Sequence, residues 1–331
     1  MTQDSRSHIK SALTVRFLRK GEDRLWRSCW YAATLDRKSE AAPFTDDPSF
    51  RPEAHLVAER SGRIVGRMES IIMEPHEAIL VDPIVTPNES VEQIARTLLS
   101  EGLRVAQNLN VREIQVILQD RLPYLSTLLP MMEKWGFCPL WQKNLYSLQA
   151  QDLPAISDAP LWNDLEWVSF KGLDDTEFIG ILDTILSNTP LDRDGQSSDA
   201  STLLETCSDR CRDDGNYYPE DWEIGVLLRQ EATSDVSRDR APIGIVMPAF
   251  LEKDRSTAGN LYVGVVPGAR GRGLGKSLHY RGLQTMANRG ATKFLGSTDS
   301  PNLPMIKIFE GLNYQLEGIQ HYFEPRTNQA S

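Results

Sequence analysis

The stretch LYVGVVPGARGRGLGKSLHYRGL, Leu261 to Leu283, sets the reading of this chain. Leu261, Val263, Val265 and Val266, with Tyr262 among them, predict a short strand. Pro267 and Gly268 turn the chain, Arg270 to Gly275 alternates arginine and leucine with glycine, and a helical run follows from Lys276. A strand that empties through glycines into a helix N-terminus is a device for holding phosphate. The first-turn N–H groups lack intrahelical partners, the dipole is positive there, and glycine lets the backbone come close. Arg270, Arg272 and Lys276 add three positive charges to the same loop.

The rest of the composition narrows what such a loop serves. The chain has 331 residues, 40% of them hydrophobic and 25% charged, which predicts a globular protein of about two domains. Its 36 basic and 46 acidic residues give a net charge of -10, which argues against nucleic acid as the partner. Cys29, Cys138, Cys207 and Cys211 have no C-x-x-C spacing, so neither a metal site nor a disulfide framework is expected. No apolar run approaches the ~18 residues of a membrane span, and the N-terminus lacks a signal-peptide core. The expectation is a cytoplasmic protein that does not engage a membrane.

In order, the first half predicts a strand at Thr14 to Leu18, a helix from Glu22 to Leu35, and a hairpin across Ser61-Gly62. A strand at Ala78 to Val85, a helix at Ser90 to Gln107, a strand at Glu113 to Leu118, a helix at Leu122 to Lys134 and a strand to Leu148 follow. Gln149 to Pro160, poor in apolar residues, reads as a linker. The second half predicts the same succession: a strand at Leu165, helices at Asp174 to Ser187 and Thr202 to Arg212, and strands at Trp222 to Leu228 and Ile243 to Phe250. A charged insertion at Arg229 to Arg240 joins those two strands; the glycine stretch, a strand at Phe294, a helix from Asn302 and a last strand over Tyr314 to Phe323 complete the half. Aligning Val85-Thr86-Pro87 with Val265-Val266-Pro267 brings Gly136-Phe137 close to Asn313-Tyr314, so the chain reads as a duplicated domain. In that alignment Ser90, Glu92, Gln93 and Ala95 stand at the positions of Arg270, Arg272, Gly273 and Gly275. A carboxylate in place of a guanidinium repels phosphate by ~4 kcal/mol at 4 Å and a dielectric of 20. The first copy therefore reads as a scaffold.

Two familiar phosphate loops fail at single positions. A Walker A loop needs glycine where Arg270 stands, and a dinucleotide fingerprint needs G-x-G-x-x-G where Gly271, Gly273 and Gly275 are spaced G-x-G-x-G. The segment Val265 to Gly275 instead resembles the acetyl-CoA loop of the GCN5-related N-acetyltransferase (GNAT) superfamily, Arg/Gln-x-x-Gly-x-Gly/Ala. Asn302 to Tyr314 matches, in spacing, that superfamily's Asn-x-x-Ala-x-x-x-Tyr-x-x-x-Gly-Phe. The whole chain is similar to tandem-domain members of the kind mycothiol synthase represents, whose substrate does not follow from architecture.

The resemblance implies an α+β (α/β) fold of two GNAT-like domains, each a mixed, mostly antiparallel twisted sheet flanked by helices. Their expected bounds are 12–148 for a degenerate copy without cofactor, 149–160 for the linker and 161–325 for the acetyl-CoA-binding copy. It implies an acyl-CoA-dependent N-acyltransferase acting on a small amine, with a non-catalytic acetyl-CoA sensor as the alternative. Pantetheine would pair with the backbone of Val263, Gly264 and Val265. The pyrophosphate would rest on the amides of Arg270, Gly271, Arg272, Gly273, Leu274, Gly275 and Lys276, and Asn302 would contact the cofactor arm. A lysine-like amine, pKa ~10.4, is neutral in about one molecule in a few thousand at pH 7, so a base or water chain helps its attack. Two positions depart from the superfamily: the proton-donating tyrosine is Phe309, and a carboxylate often found on the cofactor strand falls at Gly259. Tyr262, His321 and Tyr322 are the substitutes, with Glu252 and Asp254 nearby; His279 reads as a solvated or helix-packing histidine. Around the first two helices of the second copy, where the superfamily builds its acceptor pocket, Asp192, Asp194, Asp199, Glu205, Asp209, Asp213 and Asp214 read as a solvated acidic face, or alternatively as carboxylates for a cationic acceptor.

Overall fold

The computed structural model describes residues 12–34, 45–46, 50–73, 77–154, 165–172, 175–187, 199–213, 218–228, 240–252 and 254–326. The chain forms two compact units, one of Met1–Gln142 with Gly318–Ser331, the other of Lys143–Glu317.

The first unit carries β1 (Thr14–Phe17), α1 (Asp23–Thr34), β2 (His55–Arg60), β3 (Arg63–Met73), β4 (Glu77–Val85), α2 (Val91–Asn108), β5 (Glu113–Gln119) and α3 (Leu125–Lys134). It also holds the start of β6 (Phe137–Gln149) and most of β12 (Gln315–Pro325). Its sheet runs β1-β2-β3-β4-β5-β12, antiparallel except for β4 against β5. Apolar residues of α2 recur at Ile94, Ala95, Leu98, Leu99 and Val105, one face of a helix, and bury against Leu56, Met68, Leu80 and Val116. The helix lies close: a Cβ at Gly102 would come within 2.4 Å of Met68 Cε.

The second unit carries Lys143–Gln149 of β6, β7 (Leu165–Ser169), α4 (Asp175–Leu186), α5 (Ala200–Asp213) and β8 (Glu223–Leu228). β9 (Arg240–Phe250), β10 (Thr257–Val265), α6 (Leu274–Asn288), β11 (Lys293–Asp299) and α7 (Leu303–Gly311) complete it. The sheet runs β7-β8-β9-β10-β11-β6, and again a central pair, β10 with β11, is the parallel one. Phe178, Leu182 and Ile185 of α4 pack with Trp222, Ile224, Ile245 and Met247, while Leu274 and Leu278 of α6 pack with Ile243 and Val246. Both units are thus mixed, mostly antiparallel sheets flanked by helices.

The units divide the chain elsewhere than at the expected linker. Lys143–Gln149 pairs with β11 from Lys143↔Asp299 to Gln149↔Lys293 and so belongs to the second unit's sheet. Gln320–Phe323 of β12 pairs with Val116–Gln119 of β5 in the first. Each sheet is completed by a strand from outside its half of the chain, a long-range pairing that local composition does not register. Of the expected linker, Ala150–Asp152 is a short 3-10 turn, with Ala150 N–H on the Thr292 carbonyl at 2.9 Å, and 155–160 lie outside the described residues. Of the expected insertion, 229–239 also lie outside them.

Candidate functional site

The site forms around β10. One edge of this strand pairs with β9 from Ala258↔Phe250 to Val265↔Gly244, with a bulge between Asn260 and Tyr262. The other edge pairs with β11 only at Thr257↔Lys293 and Ala258↔Phe294. From Gly259 onward the ladder to β11 stops, and a bulge on the opposite edge is the device that turns a strand away from its neighbour. The result is a cleft of about 150 Å3 between Asn260–Val263 on one side and Gly296–Asp299 on the other. Gly259 sits at its apex, where a Cβ would come within 2.5 Å of the Leu295 carbonyl oxygen. That approach excludes any side chain, which gives a physical reason for the missing carboxylate.

Below the cleft the glycine loop behaves differently at each position. Gly271 and Gly273 have φ of 74° and 78°, the left-handed region where other residues are strained by ~1–2 kcal/mol. Gly273 is the N-cap of α6 and contributes no side-chain cap. Among the described residues the backbone N–H groups of Gly271, Arg272, Gly273, Leu274 and Gly275 make no hydrogen bond. Gly275 answers to packing, since a Cβ there would meet Ile308 Cδ1 at 3.0 Å. Arg270 turns inward: its Nε donates to the Val265 carbonyl at 3.0 Å and its guanidinium to the Ile185 carbonyl at 3.2 Å, tying the loop to β10 and α4. Arg272 is exposed and Lys276 half-buried. Asn302 caps α7, its Oδ1 accepting from Met305 N–H at 3.3 Å, which leaves Nδ2 for the cleft that it lines.

The first unit shows what the same elements do when the loop is lost. α2 starts at Val91, and its cap Ser90 accepts from Gln93 N–H at 3.3 Å while Ile94 N–H bonds the Ser90 carbonyl. In the alignment of the halves, Val91 to Gln93 match Gly271 to Gly273. The helix therefore absorbs as its first turn what the second unit keeps as open loop. β4 and β5 pair over five positions, Glu77↔Glu113 to Val81↔Ile117. Beyond them Asp82, at φ 39°, accepts from Gln119 N–H at 2.8 Å. Tyr124, the N-cap of α3 and so the counterpart of Asn302, reaches back: its hydroxyl accepts from Val85 N–H at 2.6 Å and donates to the Pro83 carbonyl at 3.1 Å. The backbone of the splayed strand is satisfied from within. Burial lifts the Asp82 carboxyl to about 6 and pushes the Tyr124 phenol above its usual range.

Behind the cleft of the second unit lies a buried polar chain that the sequence did not reveal. Asn260 Nδ2 donates to the His279 carbonyl at 3.0 Å and faces His279 Nδ1 at 3.1 Å. A carbonyl oxygen only accepts, so the amide nitrogen is the atom on that side, and Nδ1 must accept as well. The ring proton therefore lies on Nε2, which donates to the Tyr314 hydroxyl at 3.2 Å. Burial takes the imidazole pKa down to about 3, so His279 is neutral and both its nitrogens are engaged. It is neither solvated nor a proton shuttle; it anchors Asn260 at the bulge. Phe309 is buried, stacked on Tyr146 with centroids 4.6 Å apart and edge-on to His279 at 5.3 Å, its ring end against Gly296.

The remaining candidates separate cleanly. Tyr262 and Val263 line the cleft. His321 and Tyr322 belong to the first unit, where Tyr322 stacks on Trp141 at 5.2 Å and donates to Gln320, and His321 Nδ1 contacts Gln142 at 3.2 Å; neither lines the cleft. Glu252 and Asp254 shape the turn before β10 through Thr257 and Ser256. Of the acidic residues, Asp192, Asp194 and Asp214 lie outside the described residues. Asp199 caps α5 at Thr202 N–H, 2.8 Å, and Asp209 pairs with Arg212 at 2.8 Å. No helix among the described residues is long and apolar enough to cross a membrane.

A central parallel pair that splays beside a glycine loop, in a mixed sheet flanked by helices, defines the class of the second unit. Residues 200–314 match the family model of the acetyltransferase (GNAT) family. A mycothiol acetyltransferase of a Nocardioides species is 44% identical over 57 residues, a match spanning 17% of this chain and 19% of that relative. A GCN5-related N-acetyltransferase from Sphaerobacter thermophilus shares the fold over 94% of both chains, with a TM-score of 0.65 at 15% identity. A tandem GNAT protein from the clavulanic acid biosynthesis pathway does so over 94% of this chain and 98% of its own, with a TM-score of 0.53 at 14% identity. At those identities the likeness is one of fold.

Proposed function

We propose that the second unit transfers an acetyl group from acetyl-CoA to the nitrogen of a small amine. The observation that carries this reading is the run of unpaired N–H groups from Gly271 to Gly275 at the positive end of α6, set below a strand edge that β11 leaves open. The pyrophosphate would rest on those amides, with Arg272 and Lys276 adding charge and Arg270 holding the loop in shape. The pantetheine arm would run along Val263 and Gly264; the Val265 carbonyl already serves Arg270. Asn302 Nδ2 would meet the arm from α7. In the reaction a neutral amine attacks the thioester carbonyl, the C–S bond breaks, the CoA thiolate leaves, and the new ammonium loses a proton. Phe309 has no proton to offer the thiolate, and Tyr262 is the hydroxyl residue on the cofactor strand that lines the cleft. Proximity and a polarised carbonyl then bear most of the rate.

The first unit, on this reading, holds no CoA: Ser90 closes its loop and Tyr124 occupies its strand edge. A cytoplasmic setting goes with acetyl-CoA and with the four free cysteines. A second reading, an acetyl-CoA sensor, is favoured by the absence of a hydroxyl at Phe309. Thiol release from acetyl-CoA, followed with a chromogenic thiol reagent across a panel of small amines, separates the two. Turnover supports the transferase, and tight acetyl-CoA binding without thiol release for any amine supports the sensor.

A further inference from the structure

A second, larger cavity of about 580 Å3 opens in the same unit. It shares Asn260, Leu261, Gly296 and Ser297 with the cleft, so the two spaces meet where β10 and β11 part. Its wall includes Lys293, Leu295 and Ser297, alternate residues of β11 and hence one face of the sheet, and Thr206 and Cys207 of α5. The charged groups of that wall are Lys143, Lys293 and Glu317. Lys293 is half-buried and forms no ion pair among the described residues. Glu317 contacts the Ser147 hydroxyl, and Ser147 is the ladder partner of Leu295, one residue from the shared Gly296. Among the described residues the Lys293 ammonium forms no ion pair with a carboxylate and the Glu317 carboxylate none with a cation; both border this cavity, and Glu317 is joined through Ser147 to the strand position opposite Leu295.

We propose that the acceptor is a zwitterion: a small amine that also carries a carboxylate, its nitrogen end held by Glu317 at the mouth of the cleft and its carboxylate by Lys293. 4-Aminobutyrate, which carries both charges on a short flexible chain, is the probe. Naming this cavity the acceptor site rests on the transferase reading above; the charge pairing itself does not.

The test titrates 4-aminobutyrate, n-butylamine and butyrate calorimetrically into the full chain saturated with CoA. The expected result is at least tenfold tighter binding of 4-aminobutyrate than of either singly charged analogue. Lys293→Gln should erase the advantage over butylamine, and Glu317→Gln the advantage over butyrate. Equal or tighter binding of butylamine or 1,4-diaminobutane, binding of none of them, or a preference that survives both substitutions overturns the proposal. Thiol release measured with the same amines distinguishes the two claims. Tight 4-aminobutyrate binding without release leaves the recognition standing and removes the transferase. Release with butylamine as fast as with 4-aminobutyrate leaves the transferase standing and removes the recognition.

Discussion

His279 makes the sharpest prediction about how the second unit is held together. Its imidazole is 2% exposed, its two nitrogens are committed to Asn260 and Tyr314, and burial depresses its pKa from 6.5 to about 3. The unfolded chain takes up a proton at this residue as pH falls through ~6.5, and the folded chain does not until about 3. Between those values the unfolded state binds more protons, so stability rises with pH, and its contribution is lost as the solution is acidified. At about 1.4 kcal/mol per unit, roughly 3 kcal/mol is gone at pH 4.5 and roughly 5 near pH 3. Asp82 works in the opposite sense in the first unit. Its folded pKa is raised from 3.8 to about 6, so it adds stability as pH falls from 6 towards 3.8. The raw pH curve of the whole chain mixes both, and the informative quantity is the difference between the wild type and His279→Gln. Urea unfolding followed at pH 7, 6, 5 and 4.5 should show the variant less stable at pH 7. The gap should then narrow by about 1.4 kcal/mol per unit below 6.5. Nitrogen-15 shifts of the imidazole should report the neutral Nε2–H tautomer down to pH 4.5. A gap independent of pH, or a ring that protonates near pH 6, would refute the buried neutral assignment.

Other substitutions probe the loop, the scaffold and the cleft. Gly273→Ala places a Cβ at φ 78° and should weaken acetyl-CoA binding by about tenfold or more, from ~1–2 kcal/mol of strain, measured by calorimetry. Tyr124→Phe leaves the Val85 N–H without its partner and should cost about 1–3 kcal/mol in denaturant unfolding, without changing the number of acetyl-CoA molecules bound. Phe309→Tyr puts a hydroxyl at a ring end that lies against Gly296 in the cleft wall. Thiol release should rise by about tenfold or more if proton delivery to the thiolate limits the rate, and an unchanged rate would place the slow step elsewhere.

The parts of this molecule that were legible in the sequence are those set by local periodicity and local chemistry. α2 was expected from Ser90 to Gln107 and spans Val91–Asn108 with Ser90 as its cap; α7 follows Asn302 as its motif spacing requires. β10 begins at Thr257, four residues before the apolar run that marks it, because its first residues are glycine, asparagine and small side chains held by pairing, Thr257 and Ala258 to β11 and Ala258 to Asn260 to β9. The exchange of β6 and β12 between the sheets depends on ladders between distant segments, and nothing within either strand encodes its partner. Asn260 and His279 were opaque for a related reason. Each reads as an ordinary polar residue until the fold brings them within 3.1 Å and buries His279. The place of Arg270 in the loop is readable, and its exposed side chain also serves as a strut, donating to the Val265 and Ile185 carbonyls.

Whether a single unit of the pair holds the cofactor is read by calorimetric titration of acetyl-CoA into the full chain, beside Arg272→Glu and Glu92→Arg. Arg272 is exposed on the open loop, and Glu92 lies in the first turn of α2 at the matching position. The expected result is one acetyl-CoA per chain, loss of binding on charge reversal at Arg272, and an unchanged stoichiometry of one for Glu92→Arg. Two molecules per chain, or full binding retained by Arg272→Glu, would contradict it.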